Sequence, residues 1–432
     1  STTNNTGPFV RILYNLLIYL LMLPLALFWV ARGIGNRAYM SNIGQRFGFG
    51  FPKINRCIWL HAVSVGEVQA AVPLIRSLQE RFPERDLLVT TVTPTGAARV
   101  DALFGDSVHH CYIPFEFPHA VRSFFSSVNP EAALIMETEI WPNLYRGCGI
   151  RRIPLILVSA RVSHKSVPGY RKLLPLIRET LSHGIIIAAQ SQSDADRFLE
   201  LGASPARTRV MGNIKFDVEA DEGVGEKGQA LRGDLFGDRP VWIAASTHEG
   251  EEQLVLQVHA KLLEGHPRLL LLLVPRHPER FSVARELIEK QGFSVVARTE
   301  NVPARDEAVF LCDTMGEVPL FYAASDVAFV AGSLVPIGGH NLLEPASLGV
   351  PIITGPYNFN AQDIADLFVD MGACRKVADT SELIDTVSEL LSDPVRAARL
   401  GNAGRTVLEE NRGALERLLV LLEPLLAHAP ED

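Results

Sequence analysis

The string His61-Ala62-Val63-Ser64-Val65-Gly66-Glu67 sets a carboxylate at the start of a helix, after a tight Ser-x-Gly turn. Pointed into a recess from a rigid element, such a Glu suits general-base catalysis. The plainer alternative is that Glu67 complements the helix dipole or caps its first turn. Two more carboxylates follow an apolar run in Met136-Glu137-Thr138-Glu139-Ile140-Trp141-Pro142-Asn143. Carboxylates there are costly unless solvated or hydrogen-bonded in a functional recess. If Glu137 or Glu139 lies near Glu67, like-charge repulsion raises a pKa toward the range useful for taking up a proton. Arg161 closes a later run in Ser159-Ala160-Arg161, and Lys215 closes Gly212-Asn213-Ile214-Lys215. Lys215 suits an anionic substrate, with a solvated or linker-packing role equally open.

The second half carries different equipment. Ser246, Thr247, His248 and Glu249 open a helix after an apolar run, and Pro275-Arg276-His277-Pro278-Glu279-Arg280 follows the next. In Gly338-Gly339-His340-Asn341-Leu342-Leu343-Glu344-Pro345, two glycines admit a close ligand and the following helix offers unsatisfied N–H groups to a phosphate. Glu344, one turn into that helix, is placed for ribose hydroxyls. Glycine turns alone explain poorly why Gly-Gly, His, Asn and Glu are so compressed. No metal is expected. Cys57, Cys111, Cys148, Cys312 and Cys374 lie far apart without a C-x-x-C pair, and Asp194-Ala195-Asp196 falls in a solvated helix rather than a strand-end loop.

Nearly every polar cluster follows an apolar, strand-like run, and helix-like stretches separate the runs. In the first half the runs are Cys57 to Val63, Leu87 to Thr91, Val108 to Ile113, Ala132 to Met136, Leu155 to Val158 and Gly184 to Ala188. The pattern restarts at Val241 to Ala245 and continues through Leu269 to Val274, Ser294 to Val296, Val309 to Cys312, Val327 to Val330 and Pro351 to Thr354. Continuous apolar strands between helices imply parallel sheets covered on both faces, with ligands beyond the carboxyl ends of the strands. The chain is too long for one ordinary core. It divides into an anchor at 1–33, a Rossmann-like domain at 34–216, a linker at 217–239 and a second Rossmann-like domain at 240–432. The two domains are expected to face each other across a cleft. The final helix, although counted with the second domain, is left free to pack back on the first.

Apolar residues at 47% and charged residues at 21% exclude a disordered chain, and a net charge of −8 argues against a nucleic-acid binder. Ile12 to Ala31 carries no charge, while Arg32, Arg37, Arg46, Lys53 and Arg56 form a basic collar before any acidic residue occurs. A helix of that length reaches about 30 Å, enough to span a bilayer; a helix lying in the interface is the main alternative. The collar would hold the bulk of the chain on the cytoplasmic side. Deleting residues through Gly33 is expected to leave chemistry on a dispersed acceptor largely intact.

Taken together, Ser64 to Glu67, Glu137 to Asn143, Gly212-Asn213-Ile214-Lys215-Phe216-Asp217, Pro275 to Arg280 and Gly338 to Pro345 resemble the Kdo (3-deoxy-D-manno-octulosonic acid) transferases of Gram-negative bacteria. The likeness covers almost the whole chain. It implies the two-domain GT-B glycosyltransferase fold, CMP-Kdo as donor and a lipid A precursor as acceptor at the cytoplasmic face of the inner membrane. Glu67 resembles the family's base, and one of Glu137 and Glu139 its support. The donor site would comprise Lys215, Ser246, Thr247, His248, Glu249, Pro275, Arg276, His277, Gly316, Gly338, Gly339, His340, Asn341 and Glu344. Ser64, Gly66 and Arg161 would lie on the acceptor side. No cofactor, metal or obligate protein partner is implied beyond CMP-Kdo, the acceptor and membrane lipid. The competing readings are a GT-B transferase using a UDP-sugar, a membrane-attached nucleotide-binding protein without activity, and a nucleotide-sugar epimerase.

Overall fold

A computed structural model describes residues 7–137, 139–162, 167–217 and 223–427. Contacts divide the chain into two compact units, Ser1–Asp217 with Arg412–Asp432, and Val218–Asn411.

The first unit holds seven strands: β1 (Cys57–His61), β2 (Asp86–Thr91), β3 (His109–Tyr112), β4 (Pro130–Met136), β5 (Leu155–Ala160), β6 (Ile186–Ala189) and β7 (Thr208–Val210). They form one parallel sheet in the order β3-β2-β1-β4-β5-β6-β7. Side chains alternate across it, so Cys57 and Trp59 enter one core while Ile58 and Leu60 enter the other. Helix Val65–Arg81 covers the second face, burying Val68, Ala71, Val72, Ile75 and Leu78 at helical spacing. The last helix, Ala414–Ala427, covers the same face through Leu418, Leu419, Leu422 and Leu426. The Asp217 carboxylate accepts from the N–H groups of Gly413 (2.6 Å) and Leu415 (2.7 Å), fixing the start of that helix. The segment from Arg412 therefore belongs to the first unit, and the second domain expected at 240–432 is too long at its end.

The second unit repeats the plan with β8 (Val241–Thr247), β9 (Leu270–Pro275), β10 (Val295–Ala297), β11 (Val309–Leu311), β12 (Val327–Val330), β13 (Ile352–Thr354) and β14 (Arg375–Lys376). The order is β10-β11-β9-β8-β12-β13-β14, again parallel. Part of the expected linker is a helix of this unit, Val224–Leu235. Its attachment is not an apolar stripe: Gly228 packs against Leu320 and Ala323, and Arg232 pairs with Asp326 at 2.8 Å.

Among the described residues no single helix is long and apolar enough to cross a membrane. The apolar run forms two helices, Gly7–Leu20 and Met22–Gly35, bent by 43°. Pro24 lies in the first turn after the break and has no N–H to give to the preceding turn. The collar also departs from expectation. Arg46 is fully buried, its guanidinium 4.0 Å from the Trp29 ring centroid and 4.2 Å from that of Tyr112, and it donates to the Val92 carbonyl.

Candidate active site

In the first sheet β1 and β4 lie side by side, with the chain winding outward from them in both directions. A crevice at their carboxyl ends is the topological switch point of such a sheet. Helix Val65–Arg81 starts there from Ser64, and Glu67 turns back so that its Oε2 accepts from the Val63 N–H at 2.6 Å. Next to it, Glu137 leaves β4 in the left-handed region, φ 58°, and its Oε1 accepts from Lys215 Nζ at 2.5 Å. Lys215 is presented by the short turn Ile214–Phe216, which Asn213 caps and whose Ile214 N–H donates to Ser159 Oγ at 3.0 Å. Ser159 is itself left-handed, φ 51°, where the β5–β6 register slips. For non-glycine residues such backbone is costly and concentrates at functional sites.

The electrostatics follow from this crowding. Burial pushes the Glu67 carboxyl up to about 7, helped by the charges of Glu137 and Glu139 and opposed by the Val63 N–H and Lys215. Burial also raises Glu139, with Glu137 adding to the effect. Glu67, Glu137, Glu139 and Lys215 are thus one coupled group, and Glu137 acts on Glu67 more strongly than Glu139 does. Lys215, counted above with the donor residues, is committed to Glu137 in the first unit. Ser64 and Gly66 flank Glu67, and Arg161 follows β5. Asp194 accepts from Val162 N–H and pairs with Arg197, so it is a packed residue rather than a solvated one.

The second sheet has its own switch point between β8 and β12. Ser246 lies in the left-handed region, φ 64°, where the β8–β9 register slips. His248 follows and meets His340 with Nε2 atoms 2.8 Å apart and rings nearly parallel, while His277 stands edge-on to His248. Burial drives His340 down to about 4, and His248, Arg276 and His277 act in the same direction. Both imidazoles of the stacked pair are held toward their neutral forms. Arg276, at the end of β9, is exposed, and its charge reaches Glu344, whose carboxyl is raised by burial and lowered by Asn341 and Arg276. Ser246, Thr247, Glu249 and Pro275 occupy the same strand ends. Gly316 sits in the turn before helix Val318–Ala323, and among the described residues no hydrogen bond ties it to the histidines.

Two expectations need correcting here. Gly338 and Gly339 make room for protein rather than for a ligand alone. A Cβ on Gly338 would come within 2.5 Å of Phe359, and one on Gly339 within 2.7 Å of the Asn358 side chain. The helix after them, Leu343–Ser347, has five residues, and Asn341 Oδ1 already accepts from Leu343 N–H at 2.9 Å. The residue that organises the loop is Glu251, fully buried, whose carboxylate accepts from the N–H groups of Gly332 (2.7 Å), Ser333 (3.2 Å) and Leu334 (3.0 Å). It also accepts from the local His248 N–H at 3.3 Å, but the loop it organises lies more than eighty residues on. Among the described residues no group of three or more His, Cys, Asp or Glu could hold a metal ion.

Comparison with known proteins adds a different kind of observation. Residues 41–218 match the family described as 3-deoxy-D-manno-octulosonic-acid transferase (kdotransferase), and residues 238–407 match glycosyl transferases group 1. The 3-deoxy-D-manno-octulosonic acid transferase of Haemophilus influenzae is 42% identical over 423 residues, 96% of this chain and 99% of that one. The chain belongs to the Kdo transferase family. The Bordetella pertussis transferase is 37% identical, over 85% of this chain and 87% of its own length. Among solved structures, a UDP-GlcNAc 2-epimerase from Neisseria meningitidis superposes with a TM-score of 0.54 over 86% of this Kdo transferase family member and all of that chain, at 15% identity. That likeness concerns the fold alone, which hosts different chemistries.

Proposed function

We propose that Glu67 is the general base of an inverting Kdo transfer. Family membership makes the protein an enzyme, with CMP-Kdo as its donor and a lipid A precursor as its acceptor. Glu67 takes the proton of an acceptor hydroxyl as that oxygen attacks the anomeric carbon of Kdo. The bond from that carbon to the phosphate oxygen breaks, and CMP departs with the electron pair. The transition state has oxocarbenium character, as in other glycosyl chemistry. Arg276 and the polar strand ends around His248, His340 and Asn341 meet the charge on the departing phosphate, and Glu344 takes the ribose. Lys215, paired with Glu137 beside Glu67, opposes the rise of the Glu67 carboxyl and so tunes the base. The leaving group is a single phosphate rather than a pyrophosphate, so this reading demands no metal.

The observation that carries this reading is the Glu67 carboxyl held at about 7 beside Glu137 and Glu139, where a base works near neutral pH. The test incubates the protein with CMP-Kdo and a tetraacylated lipid A precursor and follows the product by mass. The Glu67→Gln variant should lose nearly all transfer and keep CMP binding; unchanged turnover in that folded variant removes Glu67 from the role. Consumption of a UDP-hexose with no reaction of CMP-Kdo would overturn the donor assignment.

The N-terminal pair of helices supports an anchor that lies in the membrane interface at the cytoplasmic face. Phe9, Ile12, Leu13, Leu16, Leu17 and Leu20 are exposed on the first helix, whereas Arg11 of the same helix is buried against the first unit. One face occupied by protein and a 43° bend favour partial insertion over a straight span.

A further inference from the structure

Asn143 closes the carboxylate-bearing motif of the first unit, yet it takes no part in the chemistry described above. Its surroundings show what it does. Helix Pro142–Arg151 begins after Trp141, which supplies no side-chain cap. The amides an N-cap side chain would satisfy are met instead by Glu116, which lies in the loop after β3. Glu116 Oε2 accepts from Asn143 N–H at 2.6 Å, and Oε1 accepts from Leu144 N–H at 3.0 Å. The Glu116 carbonyl accepts from Asn143 Nδ2 at 2.6 Å.

Three residues of helix Gly7–Leu20 complete this network. Arg11 Nη1 donates to Asn143 Oδ1 at 2.9 Å and to the Pro142 carbonyl at 3.2 Å. Tyr14 Oη donates to Glu116 Oε2 at 3.1 Å, and Asn15 Oδ1 accepts from Asn143 Nδ2 at 2.7 Å. Arg11 is 4% exposed and is held from its other side by the Glu179 carboxylate, which His183 also engages at 2.9 Å. A buried guanidinium with this many partners is costly to remove and fixes what it touches. An anchor that served only to reach lipid would have no use for it, so deletion through Gly33, expected from the sequence to leave the chemistry largely intact, should instead lower the rate.

We propose that helix Gly7–Leu20 is a positioning element of the catalytic unit, with Arg11, Tyr14 and Asn15 clamping Asn143 and Glu116 so that the segment carrying Glu137 and Glu139 keeps its place beside Glu67. The leverage is short. Five residues separate the end of β4 at Met136 from the clamped turn at Pro142, and both carboxylates lie among them. Tyr145, on the clamped helix, also donates to the Glu139 carbonyl. A displacement at Asn143 therefore passes directly into the carboxylates. Misplacement by about an ångström costs on the order of a hundredfold in rate.

This inference rests on Glu67 as base, and the experiment separates the two. The full-length Arg11→Ala variant is assayed on detergent-dispersed acceptor, where membrane attachment does not limit the reaction. The expected result is a fall in kcat of roughly ten- to hundredfold, with little change in acceptor KM. The acid limb of the kcat profile should move to lower pH, because Glu67 loses the crowding by Glu137 and Glu139 while Lys215 stays. Arg11→Lys should restore part of the rate. Vesicle sedimentation should stay as in wild type, since Leu13, Leu16 and Leu17 are untouched. A folded Arg11→Ala variant with wild-type kcat and pH profile overturns the inference, as does a loss confined to KM. Should that variant fail to fold, Tyr14→Phe removes one bond only and should lower kcat about two- to fivefold; no change would again overturn the clamp. Glu67→Gln run alongside tests the base alone: full activity there sinks the base assignment, whereas a drop in kcat for Arg11→Ala still supports the clamp.

Discussion

Replacing Glu67 by Gln should abolish transfer and, at alkaline pH, make the protein more stable. Burial holds the Glu67 carboxyl at about 7 in the fold, against 4.5 ordinarily. The fold thus binds that proton more tightly than the unfolded chain does. The corresponding stabilisation is fully present below pH 4.5 and is lost as pH rises through 7. The shift is equivalent to about 3 kcal/mol. A Gln side chain keeps an oxygen for the Val63 N–H but carries no charge, so the Glu67→Gln variant escapes that loss. Urea unfolding followed by tryptophan fluorescence reports chiefly on the first unit, which holds Trp29, Trp59 and Trp141 of the four tryptophans. Relative to wild type, the variant should gain on the order of 3 kcal/mol between pH 4.5 and pH 8.5. A gap that is the same at every pH would refute a desolvated carboxylate as the source of the raised value.

Four other perturbations are equally specific. Lys215→Met removes the cation that lowers Glu67, so the acid limb of kcat should move up by about one pH unit; a limb that stays put or moves down contradicts the coupling. Glu251→Gln weakens the acceptor for three buried N–H groups and should destabilise the second unit by about 2–3 kcal/mol, with CMP affinity, read by calorimetry, falling as well. His340 and the buried His259 are both held down to about 4 by burial, so the stability they confer is present above pH 6.5 and lost as pH falls through 4. The urea midpoint of the second unit should drop over that window, and His259→Phe should flatten the drop. Aspartates at both Leu13 and Leu17 should reduce sedimentation with anionic vesicles while leaving kcat on dispersed acceptor within about twofold.

Both sheets were readable because parallel strands buried on both faces appear as unbroken apolar runs, as in Leu270 to Pro275. The two strands that escaped were β7 and β14, short edges built on Arg209 and on Arg375 and Lys376. Helix Val224–Leu235 escaped for a related reason: it docks through a glycine and an ion pair, which leave no hydrophobic period. At the site, Glu67, Glu137 and Glu139 stood out because charge directly after an apolar strand is rare. Glu116 did not, since it satisfies backbone amides remote in sequence and carries no neighbouring motif, and the role of Glu251, although it ends the string from Ser246, depends on amides 81 to 83 residues away. The glycines at 338 and 339 were legible as a close approach, but whether ligand or protein approaches is a tertiary fact.

The return of the last helix to the first unit bears on how the protein is made. Leu418, Leu419, Leu422 and Leu426 share one core with Ala132, Leu134, Met136, Ile156 and Val158, in the sheet from whose strand ends Glu67 and Glu137 project. During synthesis those strand residues emerge well before their cover. Val218–Asn411 must be translated first, a delay on the order of ten to forty seconds at usual elongation rates. Over that interval the nascent first unit presents an uncovered apolar strip. The second unit, uninterrupted in sequence, can complete itself before the first one does. The unit that carries Glu67, first to be started, is thus the last to be finished.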